Sequence, residues 1–336
     1  GDVYKRQAIS KVYDNGQAEW TRSWKNDKED GKWSEWYKNG QLLFEGNYID
    51  GKKVGKWIEW HGNGQIWREK NYKEGNYDGK LTVWDSDGQK SLESNYKDGI
   101  EHGLSTRYLD GVIWYELNYI NGEKVKHTHY DNGQKLSEIN YKNEKLNGKQ
   151  TFWNDFGQVE AVQNYQYGVK ISETSFLYYP NGQLEKEMNY RGDGFTKDGK
   201  QSYWYEDGQK HMELNYKNGI QKDGASWNEI GQKTHLSFYL NNRSYKQIRF
   251  KYYENNQVKE EAHLDMSNIN PVYIYLLRWH KNGQKSLEVN YKDGKKNGKW
   301  IQWHDNGQQQ LEKNYEKGEL IGQEIWWDEG GQLDNG

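Results

Sequence analysis

The sequence predicts an all-β fold: an elongated single-layer antiparallel β-meander built from about thirteen tandem β-hairpin repeats of ~24 residues. Three observations lead there. An Asn-Gly-Gln-type tripeptide recurs along the 336 residues; Gly is abundant (37) and Pro almost missing (2); and 17 Trp and 28 Tyr accompany a mean hydropathy of -1.31. So low a hydropathy is typical of disordered chains, but those are poor in aromatics, so rings in this number must be packing against something. Many glycines with few prolines suit many turns at positive φ between uninterrupted strands.

The turn glycine stands at Gly16, Gly40, Gly64, Gly88, Gly111, Gly133, Gly157, Gly182, Gly208, Gly231, Gly283, Gly307 and Gly331, with Asn256 in the equivalent place, at a period of 22 to 27 residues. Eight residues after it comes Tyr48, Tyr72, Tyr96, Tyr119, Tyr141, Tyr165, Tyr190, Tyr216, Tyr239, Tyr291 or Tyr315, with Trp24 in the first copy and Leu264 as the one break. Four residues before it comes Trp36, Trp60, Trp84, Trp153, Trp204, Trp227, Trp279, Trp303 or Trp327, with Tyr178 and Tyr252 in two other copies. A second turn, such as Lys-Asp-Gly at 97–99 and 292–294, follows the Tyr. Two turns in ~24 residues leave two strands of about seven residues each, which is one hairpin.

Turn length decides which side chains share a face, because a one-residue slip moves a whole strand's set to the other side. Pro180 before Asn181-Gly182 suits the first central position of a type I turn with Gly as the left-handed residue, so a three-residue bulged turn is expected. Residues at even offsets after the glycine are apolar, as Leu42, Phe44 and Tyr48, while Gln, Glu (Glu45, Glu69, Glu93, Glu138, Glu213, Glu288, Glu312) and Asn (Asn47, Asn71, Asn95, Asn140, Asn215, Asn290, Asn314) take the odd ones. That register places the Trp and Tyr columns together. The candidate binding face is therefore Trp36, Trp60, Trp84, Trp153, Trp204, Trp227, Trp279, Trp303 and Trp327 with Tyr48, Tyr72 and Tyr96. Gly40, Gly64, Gly88, Gly133, Gly182, Gly283 and Gly307 are structural turn residues.

Hairpins in series pair into a continuous meander of about 26 strands ~4.8 Å apart, a twisted ribbon roughly 120 Å long. Its stability comes from contacts between neighbouring repeats, with no central core. The array spans residues 8–336, with degenerate repeats at 232–282, where the Glu and Asn columns become Leu236 and Phe238, then Glu261 and His263, and an insertion carries Pro271. Residues 1–7 (GDVYKRQ) lack an initiator Met, resemble a peptide translated from sequencing-adapter DNA, and are set apart as a non-native N-terminal scar.

Composition narrows function. A net charge of -3 with Lys and Glu interspersed favours neither nucleic acid nor an anionic membrane. With no Cys there is no disulfide framework or thiolate ligand, and no apolar run approaches the roughly 20 residues of a membrane-spanning helix. The Glu column is a poor catalytic pair, because identical carboxylates in identical surroundings have no reason to differ in pKa. It is expected to pair with strand Lys, and the Asn column to bond nearby backbone. His127 and His129 share a strand face but have no third ligand. No phosphate loop or Ser/His/Asp arrangement is evident. No catalytic residue, metal or cofactor is expected.

The unit seen in KWIEWHGNGQIWREKNYKEG (56–75) and KWIQWHDNGQQQLEKNYEKG (299–318) resembles the MORN-repeat variant of bacterial proteins, including the YwqK-family antitoxins. The resemblance runs over residues 8–336. It implies an elongated β-meander that mediates protein association, in some members contact with lipid, and for the antitoxins the binding and neutralising of a partner protein. The expected function is a non-enzymatic protein–protein interaction array, with antitoxin-like neutralisation as its narrower form. The alternative is carbohydrate or cell-wall binding through the periodic Trp and Tyr, although glucan-binding hairpin repeats open with Gly-Trp where this strand ends in Asn-Tyr.

Overall fold

The computed structural model describes residues 7–240, 243–267 and 269–334, and among these every regular element is a β-strand. The chain forms two compact units, Gly1–Ile171 and Ser172–Gly336. Within each, strands pair antiparallel with their neighbours in sequence. In the first unit Gly31–Trp36, Leu42–Ile49, Lys52–Trp60 and Ile66–Lys73 succeed one another this way. In the second, Gly199–Trp204, Lys210–Lys217, Ile220–Trp227 and Lys233–Leu240 do the same. Gln7, the last residue of the segment set apart as a scar, opens the first strand opposite Trp24; residues 1–6 lie outside the described residues.

The three-residue turn expected from Pro180 is present in most copies. The Gly40 N–H donates to the Tyr37 carbonyl at 2.9 Å and the Tyr37 N–H to the Gln41 carbonyl at 2.8 Å, closing a loop over residues 38–40 with Gly40 at φ 83°. Asn256 takes the same place at φ 66°, which asparagine tolerates better than most side chains. Two copies depart from this. Asp110-Gly111 and Asn132-Gly133 have both residues at positive φ and close two-residue turns, with Leu109 opposite Val112 and Asp131 opposite Gln134.

The tripeptide also joins each repeat to the next. The Asn39 Oδ1 accepts the Gln41 N–H at 3.1 Å, and its Nδ2 donates to the Gly62 carbonyl of the following turn at 2.9 Å. Two residues earlier the Tyr37 hydroxyl donates to the Trp60 carbonyl at 2.9 Å. Asn63 and Asn306 repeat the first link, while His61 and His304 stand in for Tyr37 in the second. Gln completes the set by lying over the next glycine: a Cβ on Gly40 would come within 2.8 Å of the Gln17 Oε1. Glycine is thus required by its φ and by its neighbour.

Among the described residues one buried cluster is locally dense. Ala262, Leu276 and Val289 are buried, with Leu287, Tyr291 and Trp300 against them. It lies in and beside the irregular copies, and Leu264, the break in the Tyr column, is itself 4% exposed. The break is a packing position.

Asn39→Asp keeps the acceptor for the Gln41 amide but sets a carboxylate against the Gly62 carbonyl. It should lower stability by about 1 kcal/mol, read as a lower urea midpoint at unchanged slope. An unchanged midpoint would mean that the bridge contributes nothing.

Candidate functional site

The faces are set by a second irregularity beyond the turn. Trp36 pairs with Leu42, but Glu35 pairs with Phe44, so Leu43 is an extra residue in its strand. The same shift recurs between Glu59 and Trp60, Phe152 and Trp153, Tyr203 and Trp204, and Gln302 and Trp303. A bulge puts the strand beyond it on the opposite alternation. Glu35, Phe44 and Tyr48 consequently share one face while Trp36, Ser34 and Glu45 share the other. This corrects the single aromatic face expected from the sequence: the columns headed by Trp36, Trp60 and Trp84 and by Tyr48, Tyr72 and Tyr96 lie on opposite sides of the sheet.

The Tyr side is self-packed in the first unit. Ring centroids run from Trp24 to Trp33 (5.6 Å), Tyr48 (4.6 Å), Trp57 (5.1 Å) and Tyr72 (5.9 Å), then through Tyr77 (4.8 Å) to Tyr96 (5.3 Å). Trp57 is 3% exposed, and its indole N–H donates to the Asn47 carbonyl at 3.3 Å. Trp33 and Trp57 were not among the sequence-derived candidates. Their signal was the spacing to Trp36 and Trp60: three apart on a strand means opposite faces.

The Trp side carries the Lys pairs of the Glu column, while Arg22–Glu35 and the Glu59 pairs with Arg68 and Lys70 lie on the Tyr side. All nine column Trp residues are half-buried. Lys135, Lys210 and Lys285, two residues after their glycines, each place Nζ within 6 Å of Trp153, Trp227 and Trp303 of the next repeat. The expected Glu–Lys pairing is present: Lys32–Glu45 at 2.8 Å, Lys56–Glu69 at 2.7 Å, Lys126–Glu138 at 2.9 Å and Lys210–Glu213 at 2.6 Å. Ser34, Thr82, Thr151 and Ser202 are buried on this same face. The Asn column bonds backbone as expected, with the Asn71 and Asn95 Nδ2 atoms each 2.7 Å from the Lys80 and Leu104 carbonyls. In the two copies with short turns the column moves by one residue: Tyr108 and Tyr130 take the Trp position, their hydroxyls donating to Glu93 at 3.2 Å and Glu116 at 2.7 Å.

His127 and His129 lie on the Tyr side with ring centroids 6.5 Å apart, and burial, reinforced by Lys124 and His129, holds the His127 imidazole below its ordinary range. Among the described residues no group of three His, Asp or Glu is placed to hold a metal ion.

For Glu93, Glu138 and Glu213, burial pushes the carboxyl upward, but two lysines beside each outweigh it and hold it below the ordinary value. With the folded pKa below the unfolded one, the pairs add stability above the usual carboxylate range and lose it as pH falls through the folded values. The urea midpoint should therefore be lower at about pH 3 than at about pH 6, by a margin that shrinks in 1 M salt. Midpoints that did not move with pH would show the pairs to be energetically idle.

Similarity to known proteins lies in the repeat. The MORN repeat variant model matches residues 29–50, 53–74, 128–143, 174–191 and 197–218. No curated protein matches the chain. Among solved structures it is similar to a crystal structure of TcdB2-TccC3 at 12% identity and a TM-score of 0.23, covering 96% of this chain and 20% of that one. It is also similar to TcdB2-TccC3-Cdc42, at 10% identity and a TM-score of 0.20, covering 98% of this chain and 23% of that one. A third is the Photorhabdus luminescens Tc holotoxin pore, at 12% identity and a TM-score of 0.22, covering 98% of this chain and 20% of that one. The chain thus spans about a fifth of the length of the solved chains it matches. Five segments, three in the first unit and two in the second, match the MORN repeat variant.

Proposed function

We propose that this chain is a non-enzymatic protein-interaction array, with the Trp side of the sheet as its contact surface. The observation that supports this reading is the repetition of one half-exposed motif on that side: a Trp, the Lys over it and the Glu that holds the Lys, as in Lys210, Trp227 and Glu213. Such a surface offers a partner the same contact at Trp153, Trp227 and Trp303, and Trp is among the residues enriched as interface anchors. The Glu93, Glu138 and Glu213 carboxyls are held below their ordinary value by their lysines, which suits a charged rim and opposes the role of general acid. Neutralisation of a toxic partner protein is the narrower form of the proposal and rests on the family resemblance. Sugar binding is less well served at Trp153, Trp227 and Trp303, where a lysine already lies within 6 Å of the ring.

The test is capture from native lysate by the full chain and by Trp153→Ala/Trp303→Ala, both shown folded by circular dichroism. A protein retained stoichiometrically by the first and at least about tenfold less by the second, a loss of ~1.4 kcal/mol, is the expected result. Equal retention would remove the Trp side from the interaction, and retention of both on insoluble glycans alone would favour the carbohydrate reading.

A further inference from the structure

We infer that Asn132 is a site of spontaneous deamidation, singled out among the Asn-Gly pairs of the turns by the absence of the hydrogen bonds that guard the others. The inference concerns the first unit and is independent of what the array binds. Asparagine before glycine is the pair most open to this reaction, because a residue without Cβ lets its N–H approach the asparagine side chain unhindered. The Gly133 nitrogen attacks the Asn132 Cγ, the bond from Cγ to Nδ2 breaks, and ammonia leaves with the proton of the Gly133 amide. Water then opens the five-membered imide at one of its two carbonyls. The product is aspartate or, with the main chain rerouted through Cγ, isoaspartate.

In the three-residue turns the bonds that join the repeats also hold both reacting groups. The nucleophile is engaged: the Gly40 N–H donates to the Tyr37 carbonyl at 2.9 Å and the Gly64 N–H to the His61 carbonyl at 2.9 Å. So is the side chain under attack. Asn39 accepts the Gln41 N–H at 3.1 Å and donates to the Gly62 carbonyl at 2.9 Å; Asn63 accepts the Gln65 N–H at 3.0 Å and donates to the Ser86 carbonyl at 2.6 Å. Asn15, Asn181, Asn282 and Asn306 are held in the same way. At the other end of the hairpins, Gly122 and Gly219 donate to the Glu101 and Lys197 carbonyls at 2.9 and 2.8 Å, while Asn147 and Asn297 accept the Tyr167 and Lys317 N–H groups at 3.2 Å. The pair at 335–336 lies outside the described residues.

The two-residue turn removes these guards at Asn132. With Asp131 opposite Gln134, Asn132 and Gly133 make up the whole turn, at φ 47° and 82°, and both are exposed. Among the described residues neither the Asn132 side chain nor the Gly133 N–H makes a hydrogen bond. Attack requires the turn to open, and the cost of opening rises with the bonds that must break. At Asn132 neither reacting group has one to break. The preceding copy shows that the aspartate product fits, since Asp110-Gly111 fills the same kind of turn with Asp110 at φ 51°. Isoaspartate instead adds a backbone carbon to a turn whose length sets the register of His129 against Ser137.

The test is ageing of the full folded chain in mildly alkaline buffer, with each Asn-Gly peptide followed by mass for the replacement of amide by acid and by electron-transfer fragmentation for isoaspartate. Asn132 should convert first, at least about tenfold faster than Asn39 or Asn63, a difference of ~1.4 kcal/mol in the cost of opening. In concentrated urea, where the turns are lost, the rates should converge. Asp110→Asn places a second Asn-Gly pair in a two-residue turn by a conservative change, and that position should then convert at a rate comparable to Asn132. Conversion of Asn39 or Asn63 as fast as Asn132, or of Asn121 or Asn218 ahead of it, would overturn the inference. So would an Asn132 that stays intact in the folded chain while the urea-unfolded chain deamidates, or an Asp110→Asn site that does not react.

Discussion

One extra residue per repeat determines what every side chain beyond it faces. The turn itself, closed over residues 38–40 and its equivalents, would by length alone leave Trp36, Phe44 and Tyr48 on one side. Leu43, standing in the strand without a partner, turns the alternation over. The bulge resolves a packing conflict. A single sheet has no second layer, so rings gathered on one side would leave the other with nothing to cover its backbone. Divided, the Tyr side packs ring on ring from Trp24 to Tyr96, and the Trp side buries Ser34, Thr82 and Ser202 beneath Trp and Lys–Glu pairs.

Cohesion between repeats comes from the opposite end of the hairpin. Asn holds its own turn with one atom and the next turn with another, Gln covers the next glycine, and Tyr or His reaches the next Trp carbonyl. These bonds are local and repeat with the sequence period, so stability accumulates by neighbour contacts. Where the pattern relaxes, between Gly231 and Gly283, packing of Ala262, Leu276 and Val289 takes over part of the task, and Leu236 and Phe238 replace the Glu and Asn of one copy.

Much of this was legible in the residues. Glycine spacing gave the hairpins, Pro180 the turn length, and the Glu and Asn columns their Lys and backbone partners. The bulge was not legible, because the residue that forms it has no fixed type: Leu43, Trp67, Trp114, Glu160 and Glu185 all occupy it. One clue pointed to it: Trp33 and Trp36, or Trp57 and Trp60, are three apart and cannot share a strand face. The candidate Trp and Tyr residues were individually well placed in the repeat; what failed was the assumption that one irregularity per hairpin set the register.

A chain without cysteine allows that register to be tested directly. Paired substitutions Ser34→Cys/Glu45→Cys and Ser34→Cys/Phe44→Cys would each be oxidised under mild conditions and the disulfide yield measured by mass. The bulged register places Ser34 opposite Glu45, so the first pair should close readily and the second should not. Closure of the Phe44 pair in preference to the Glu45 pair would return the Trp and Tyr columns to one face and contradict the account.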